Sequence, residues 1–165
     1  MIVYLVGVPG AGKSVVGREL AGRLGVPFVD LDEEIEREAG ASVVEIFRSK
    51  GEPAFRAMEA AALVEASTHD PSVVACGGGI VLEPANRVTL RATGTCVFLD
   101  VPLERLRERV RPAADRPLIQ HDGDLERLLA EREPLYREFA AHVVDGSGAP
   151  GAVAAAIVEE LRWSA

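Results

Sequence analysis

The 165-residue chain is 48% hydrophobic and 5% aromatic, and none of its apolar tracts is long enough to span a bilayer, so one globular domain over residues 1–165 is expected. Acidic residues outnumber basic ones by 26 to 18, a net charge of −8. That balance argues against a nucleic-acid backbone as the main partner, and an anionic small molecule would need a locally basic pocket.

The chain opens on an apolar run, Ile2 to Val6, with no basic flank, and passes straight into a glycine-rich loop. This reads as a first strand and not a signal peptide, and implies the cytoplasm with no membrane partner. The loop "GVPGAGKS" fits G-x-x-x-x-G-K-[ST] at Gly7, Gly12, Lys13 and Ser14, between a strand and a helix. Gly7, Gly10 and Gly12 let backbone N–H groups turn around phosphate oxygens, and the helix beginning near Lys13 adds the positive end of its dipole. The expected ATP-binding residues are therefore Gly10, Ala11, Gly12, Lys13, Ser14 and Val15. Lys13 can bridge the β- and γ-phosphates while the Ser14 hydroxyl holds Mg²⁺. Lys13 and Lys50 are the only lysines in the chain.

Apolar residues at Val15, Val16, Leu20 and Leu24 continue as a helix that stops at Gly25. A second strand, Pro27 to Asp30, follows. Asp30 and Asp32 are read as two carboxylates on one side of that strand's carboxyl end, where ligands bind in open α/β sheets. One could orient Mg²⁺ and the other accept a hydroxyl proton; alternatively, Asp32 caps the helix beginning "EEI". Three helical stretches with Gly40 and Gly51 as stops then fill residues 31–70, an insertion suited to wall a pocket, with Arg56 on its last helix.

The third strand, Ser72 to Cys76, runs into Gly77, Gly78 and Gly79, a costly triplet unless backbone must approach a ligand closely. A fourth strand, Thr95 to Asp100, ends in a carboxylate that is a rival for Mg²⁺, although "DVPLERL" also reads as a helix cap followed by proline. Residues 111–124, with prolines, a glycine and poor periodicity, read as a mobile lid between two helices. Arg132 precedes "EPLY", and a fifth strand spans Ala141 to Asp145. Alternating strands and helices imply a parallel sheet with helices on its faces. Cys76 and Cys96 lie in apolar runs and read as core filler.

In order and spacing, "GVPGAGKS", "DLDEEIE", "IFRSKGEPAFRAME", "CGGGI", "RPL" and "REPLY" make the chain resemble shikimate kinase from end to end. The resemblance implies a P-loop nucleoside monophosphate kinase-like three-layer sandwich with a five-stranded parallel sheet, a helical insertion and a lid. It implies a monomer that transfers the ATP γ-phosphate to the 3-hydroxyl of shikimate on the way to chorismate and aromatic amino acids. By that likeness Lys13, Asp32 and Arg116 are catalytic, with Asp32 binding the hydroxyls and accepting a proton. Asp30 joins Ser14 at Mg²⁺; Arg56, Arg132 and Gly77 to Gly79 hold shikimate, with both arginines on its carboxylate. Arg116 reaches the transferring phosphate and Arg109 lies against adenine. Two departures stand out: the third strand lacks a terminal aspartate, and the loop "DGSGAPG" before the last helix has no basic residue to flank adenine. Another small-molecule kinase such as gluconate kinase, and a non-catalytic nucleotide-binding module, are the competing readings.

Overall fold

The computed structural model describes residues 1–110 and 116–163. Its elements alternate along the chain: β1 Ile2–Val6, α1 Lys13–Leu24, β2 Phe28–Asp30, α2 Leu31–Ala39, α3 Val43–Lys50, α4 Glu52–Ala66 and β3 Ser72–Ala75. A 3-10 turn, Ile80–Leu82, then leads to α5 Pro84–Thr93, β4 Gly94–Asp100, α6 Leu103–Arg109, α7 Asp124–Phe139, β5 His142–Asp145 and α8 Pro150–Trp163. The strands agree with the sequence-based ranges to within one residue at each end. Residues 111–115 of the expected lid lie outside the described residues.

All strand pairs are parallel, and the sheet order is β2-β3-β1-β4-β5. Central β1 is buried along its whole length, which is why it reads as an unbroken apolar run instead of an alternating one. The handedness rule for parallel crossovers places the layers. The chain steps one way from β1 to β2 and the other way from β2 to β3 to β4 to β5, so α1 covers one face while α5 and α7 cover the other. Consistent with this, α1 packs on α8, and α5 and α7 both contact β4.

The reversal falls between β1 and β3, and this is the switch point at which open α/β sheets bind ligands. Leu5 pairs with Ala75, and the Cys76 N–H donates to the Leu5 carbonyl at 3.0 Å. The P-loop leaving β1 and the triple glycine leaving β3 therefore start side by side.

Helix boundaries follow local chemistry. Ser42 and Glu45 form a reciprocal capping box that starts α3. Gly25 and Gly40, both left-handed, end α1 and α2 as expected. At the other edge of the central pair, a Cβ on Gly94 would sit 2.4 Å from the Ile2 carbonyl oxygen. Gly94→Ala should therefore force β1 and β4 apart and lower stability by about 1–3 kcal/mol. Urea unfolding would register this as a lower midpoint at unchanged slope; an unchanged midpoint would contradict the close approach.

Candidate active site

The P-loop is built by backbone geometry. Gly10 and Gly12 have φ of +84° and +91°, a region that side chains rarely adopt, and Gly12 is the residue from which α1 begins. A Cβ on Gly10 would also lie 2.0 Å from the Val110 Cγ2, so the loop packs directly on the chain leaving α6. Lys13 Nζ donates to the Gly7 and Val8 carbonyls at 2.8 and 3.0 Å, which folds the lysine back across its own loop. Burial holds the Lys13 pKa down to about 8, against the opposing pull of Asp32, Cys76 and Asp30.

Asp30 and Asp32 do not share a strand face. The strand ends at Asp30 and α2 starts at Leu31, so the period-two argument fails between them. Asp30 is the helix cap, accepting from the Asp32 and Glu33 N–H groups at 3.0 and 3.4 Å. This corrects the alternative in which Asp32 caps the helix. The second Asp30 oxygen accepts the Ser14 hydroxyl, tying α2 to the P-loop. Asp32, freed from capping, keeps its Oδ1 buried and without a hydrogen-bond partner. Burial, then repulsion from Asp30, raises its pKa, while Lys13 and Arg56 oppose the shift.

Asp100 is not a cap, and it is engaged elsewhere. Its carboxylate accepts from Arg137 at 2.5 Å, and α6 starts at Pro102 without a side-chain cap. The hydroxyl–carboxylate pair Ser14 and Asp30 is a set of hard oxygen donors beside a phosphate-binding loop. It suits Mg²⁺, an ion that takes one or two protein ligands and fills its remaining positions with phosphate and water.

Two cavities of about 300 Å³ each open at the carboxyl edge of the sheet. One is lined by Gly10, Gly12, Lys13, Ser14, Val15, Asp30 and Cys76, the other by Glu36, Phe47, Phe55, Arg56, Glu59, Arg116 and Arg132. They share Pro9, Asp32, Gly77 and Gly78. Ala11 is buried beneath the P-loop. A larger hollow of about 560 Å³ lies beside Pro27, Asp70 and Pro71, at the strands' opposite ends, where ligands of such sheets are not bound.

Arg132 lies in the middle of α7, 3% exposed. No carboxylate among the described residues pairs with it, and its Nε has no partner. Arg56, on α4, is held by Glu52 and Glu59 at 3.0 Å each. Glu59 carried no signal of its own in the sequence, yet it is fully buried, and burial raises its pKa against the pull of Arg56. The Arg56-to-Glu59 spacing of three on a helix, which places two side chains together, was the sign that could have found it. Tyr136 was also overlooked; its buried hydroxyl donates to the Gly78 carbonyl.

The three glycines each make room for a different side chain. A Cβ on Gly77 would lie 2.4 Å from Glu59 Oε1 and 3.2 Å from Asp32 Oδ1; on Gly78, 3.3 Å from Arg132 Nη1; on Gly79, 2.1 Å from Arg56 Nη1. Arg109 reaches from α6 to the Gly146 and Ser147 carbonyls at 3.1 Å each and, less closely, to that of Gly10 at 3.4 Å. It thereby supplies from outside the cation that the loop before α8 lacks.

The model of the shikimate kinase family matches residues 9–162. A shikimate kinase of Halorhodospira halophila is 49% identical over 164 residues, spanning 97% of this chain and 93% of its own. One from Aromatoleum aromaticum is 46% identical over 166 residues, spanning 98% and 95%. Among solved structures, that of shikimate kinase from Acinetobacter baumannii in complex with shikimate aligns with a TM-score of 0.94 at 39% identity, over 99% of this chain and 93% of its own.

The lowered Lys13 pKa has a direct consequence for phosphate binding. The lysine is charged below about 8 and loses its proton as pH rises through that value. Between pH 7 and 9, ATP affinity should therefore fall about tenfold. Lys13→Met should bind weakly with no such pH dependence, which fluorescence titration with a labelled nucleotide would measure. A flat profile in the unsubstituted protein would contradict the lysine's role.

Proposed function

This chain belongs to the shikimate kinase family, and we propose that its joined cavities seat ATP and shikimate for transfer of the γ-phosphoryl group to the 3-hydroxyl, yielding shikimate 3-phosphate and ADP. It is an ATP-dependent kinase acting on shikimate. The observation that carries the assignment of the second cavity is the buried guanidinium of Arg132 on its wall, which forms no ion pair among the described residues and whose Nε has no partner. A buried cation without a counter-charge is costly, and a ligand carboxylate removes that cost while accepting a two-pronged hydrogen bond.

Shikimate carries the complementary groups, a carboxylate at one end of its ring and hydroxyls at the other. Arg132 and Arg56 take the carboxylate, with Gly77, Gly78 and Gly79 bringing backbone against the ring. Asp32, at the junction of the two cavities, accepts hydrogen bonds from the hydroxyls. The same burial that raises its pKa brings its basicity closer to what proton transfer at neutral pH requires. Its unpartnered Oδ1 is the atom that takes the proton of the attacking hydroxyl.

On the donor side, the N–H groups of Gly10 to Val15 and the Lys13 ammonium surround the phosphates. Phosphoryl transfer asks for alignment and charge neutralisation more than for covalent help, and these groups supply both. Ser14 and Asp30 would hold Mg²⁺, which when bound neutralises phosphate charge. Arg116, on the wall of the acceptor cavity, would meet the transferring group, and the lid expected from the sequence would exclude water on closing. Adenine would lie against Arg109. The proposal includes residues 31–70 as the substrate-binding insertion of a single domain over residues 1–165, and a monomeric, cytoplasmic enzyme feeding the chorismate pathway.

Purified protein with ATP, Mg²⁺ and either shikimate or gluconate tests the acceptor: phosphorylation of shikimate is expected, and turnover of gluconate alone would overturn it. Asp32→Asn should lower kcat by about 10²- to 10⁴-fold with ATP binding retained; near-normal turnover would place the base elsewhere. Arg132→Ala should raise KM for shikimate roughly 10- to 100-fold with little change for ATP. Equal losses for both substrates would remove Arg132 from the carboxylate site.

A further inference from the structure

Arg132 and Tyr136 are one turn apart on α7 and therefore project from the same helix face. Both converge on Gly78. The Tyr136 hydroxyl donates to the Gly78 carbonyl, across 58 residues of chain, while Arg132 Nη1 lies 3.3 Å from the position of a Gly78 Cβ. Pro9 of the P-loop presses on the same residue from the other side, its Cδ 3.0 Å from that position.

Tyr136 itself has no freedom. It is fully buried, its ring is stacked on Phe98 of β4 with centroids 5.1 Å apart, and it lies in an environment that raises its pKa by burial, so it stays a protonated donor. Backbone N–H groups of Ile80 and Leu82 hold the Gly77 and Gly79 carbonyls at 3.1 and 3.0 Å, while the Gly78 carbonyl is held by the Tyr136 hydroxyl; glycine peptide planes are otherwise free to turn. The one side-chain hydrogen bond to a carbonyl of this triplet among the described residues comes from Tyr136.

We propose that Tyr136 is a positioning residue for the acceptor: its hydroxyl fixes the peptide plane after Gly78 and locks α7 to the glycine loop, setting the orientation of the loop N–H groups and of Arg132 toward the substrate carboxylate. The hydroxyl touches neither substrate nor reacting atoms. It acts through Gly78 and Arg132. This assignment rests on the reading of the second cavity as the shikimate site.

Tyr136→Phe tests it, because the ring and its stacking on Phe98 are kept and only the hydroxyl is removed. KM for shikimate should rise about fivefold or more, the loss of one buried hydrogen bond, while KM for ATP and kcat stay within about twofold. In ¹H–¹⁵N spectra the amides of Gly78 and Gly79 should shift while those of Gly12 and Gly25 do not. A folded variant with unchanged KM for shikimate overturns the proposal, as does an equal rise of both KM values. Loss of the fold in the Phe variant also overturns it, since the hydroxyl would then serve stability. The functional reading fails separately, if the unsubstituted protein does not phosphorylate shikimate at all.

Discussion

Everything in this site depends on β1 and β3 being neighbours in register. The hydrogen bond from Cys76 to Leu5 is the last rung of that pairing, and beyond it both chains turn out of the sheet together. One becomes the P-loop and the other the triple glycine. Because the chain crosses the sheet in opposite directions on either side of this pair, the crossover helices diverge to opposite faces and leave a crevice above it. The two cavities meet at Pro9, Asp32, Gly77 and Gly78, residues from three separate segments.

Several of the charges around that gap have partners. Arg56 is neutralised by Glu52 and Glu59, Asp30 by two helix N–H groups and the Ser14 hydroxyl, and Asp100 by Arg137. Asp32 Oδ1, Glu59 Oε1 and Arg132 Nε are each buried without a hydrogen-bond partner. Leaving a buried polar atom unpaired costs on the order of 1–3 kcal/mol. Such a cost is tolerated where a ligand supplies the missing partner, and all three residues line the same cavity. Carboxylates and a guanidinium together are the complement of the hydroxylated carboxylic acid proposed as the acceptor.

Glycine acts here in two physically distinct ways. In the P-loop it permits positive φ, so that backbone donors point inward. After β3, Gly78 and its neighbours serve mainly as empty space: Glu59, Arg132 and Arg56 each occupy volume that a methyl group would claim. Charged side chains are thus brought against the backbone from three directions. The arrangement explains how a cavity of about 300 Å³ can be lined by several ionisable groups and still remain compact.

The sequence by itself determined the strand and helix order, the P-loop and the identity of the residues that converge on it. Those features are local: a glycine pattern, apolar periodicity and stop residues act within a few positions of themselves. It also supplied the ordered motifs by which Asp32, Arg56, Arg116 and Arg132 could be carried to one site. Only the tertiary structure decided which carboxylate does what. Asp30 became the cap because the strand ends at Asp30 itself, two residues short of Asp32, and Asp100 was claimed by Arg137 of α7. Glu59 carried only the faint sign of its i,i+3 spacing from Arg56, and Tyr136 none: a glutamate on a helix and a tyrosine near a proline are ordinary residues until packing buries them against three glycines far away in the chain. Long-range contacts assign roles among identical side chains, and no local pattern encodes them.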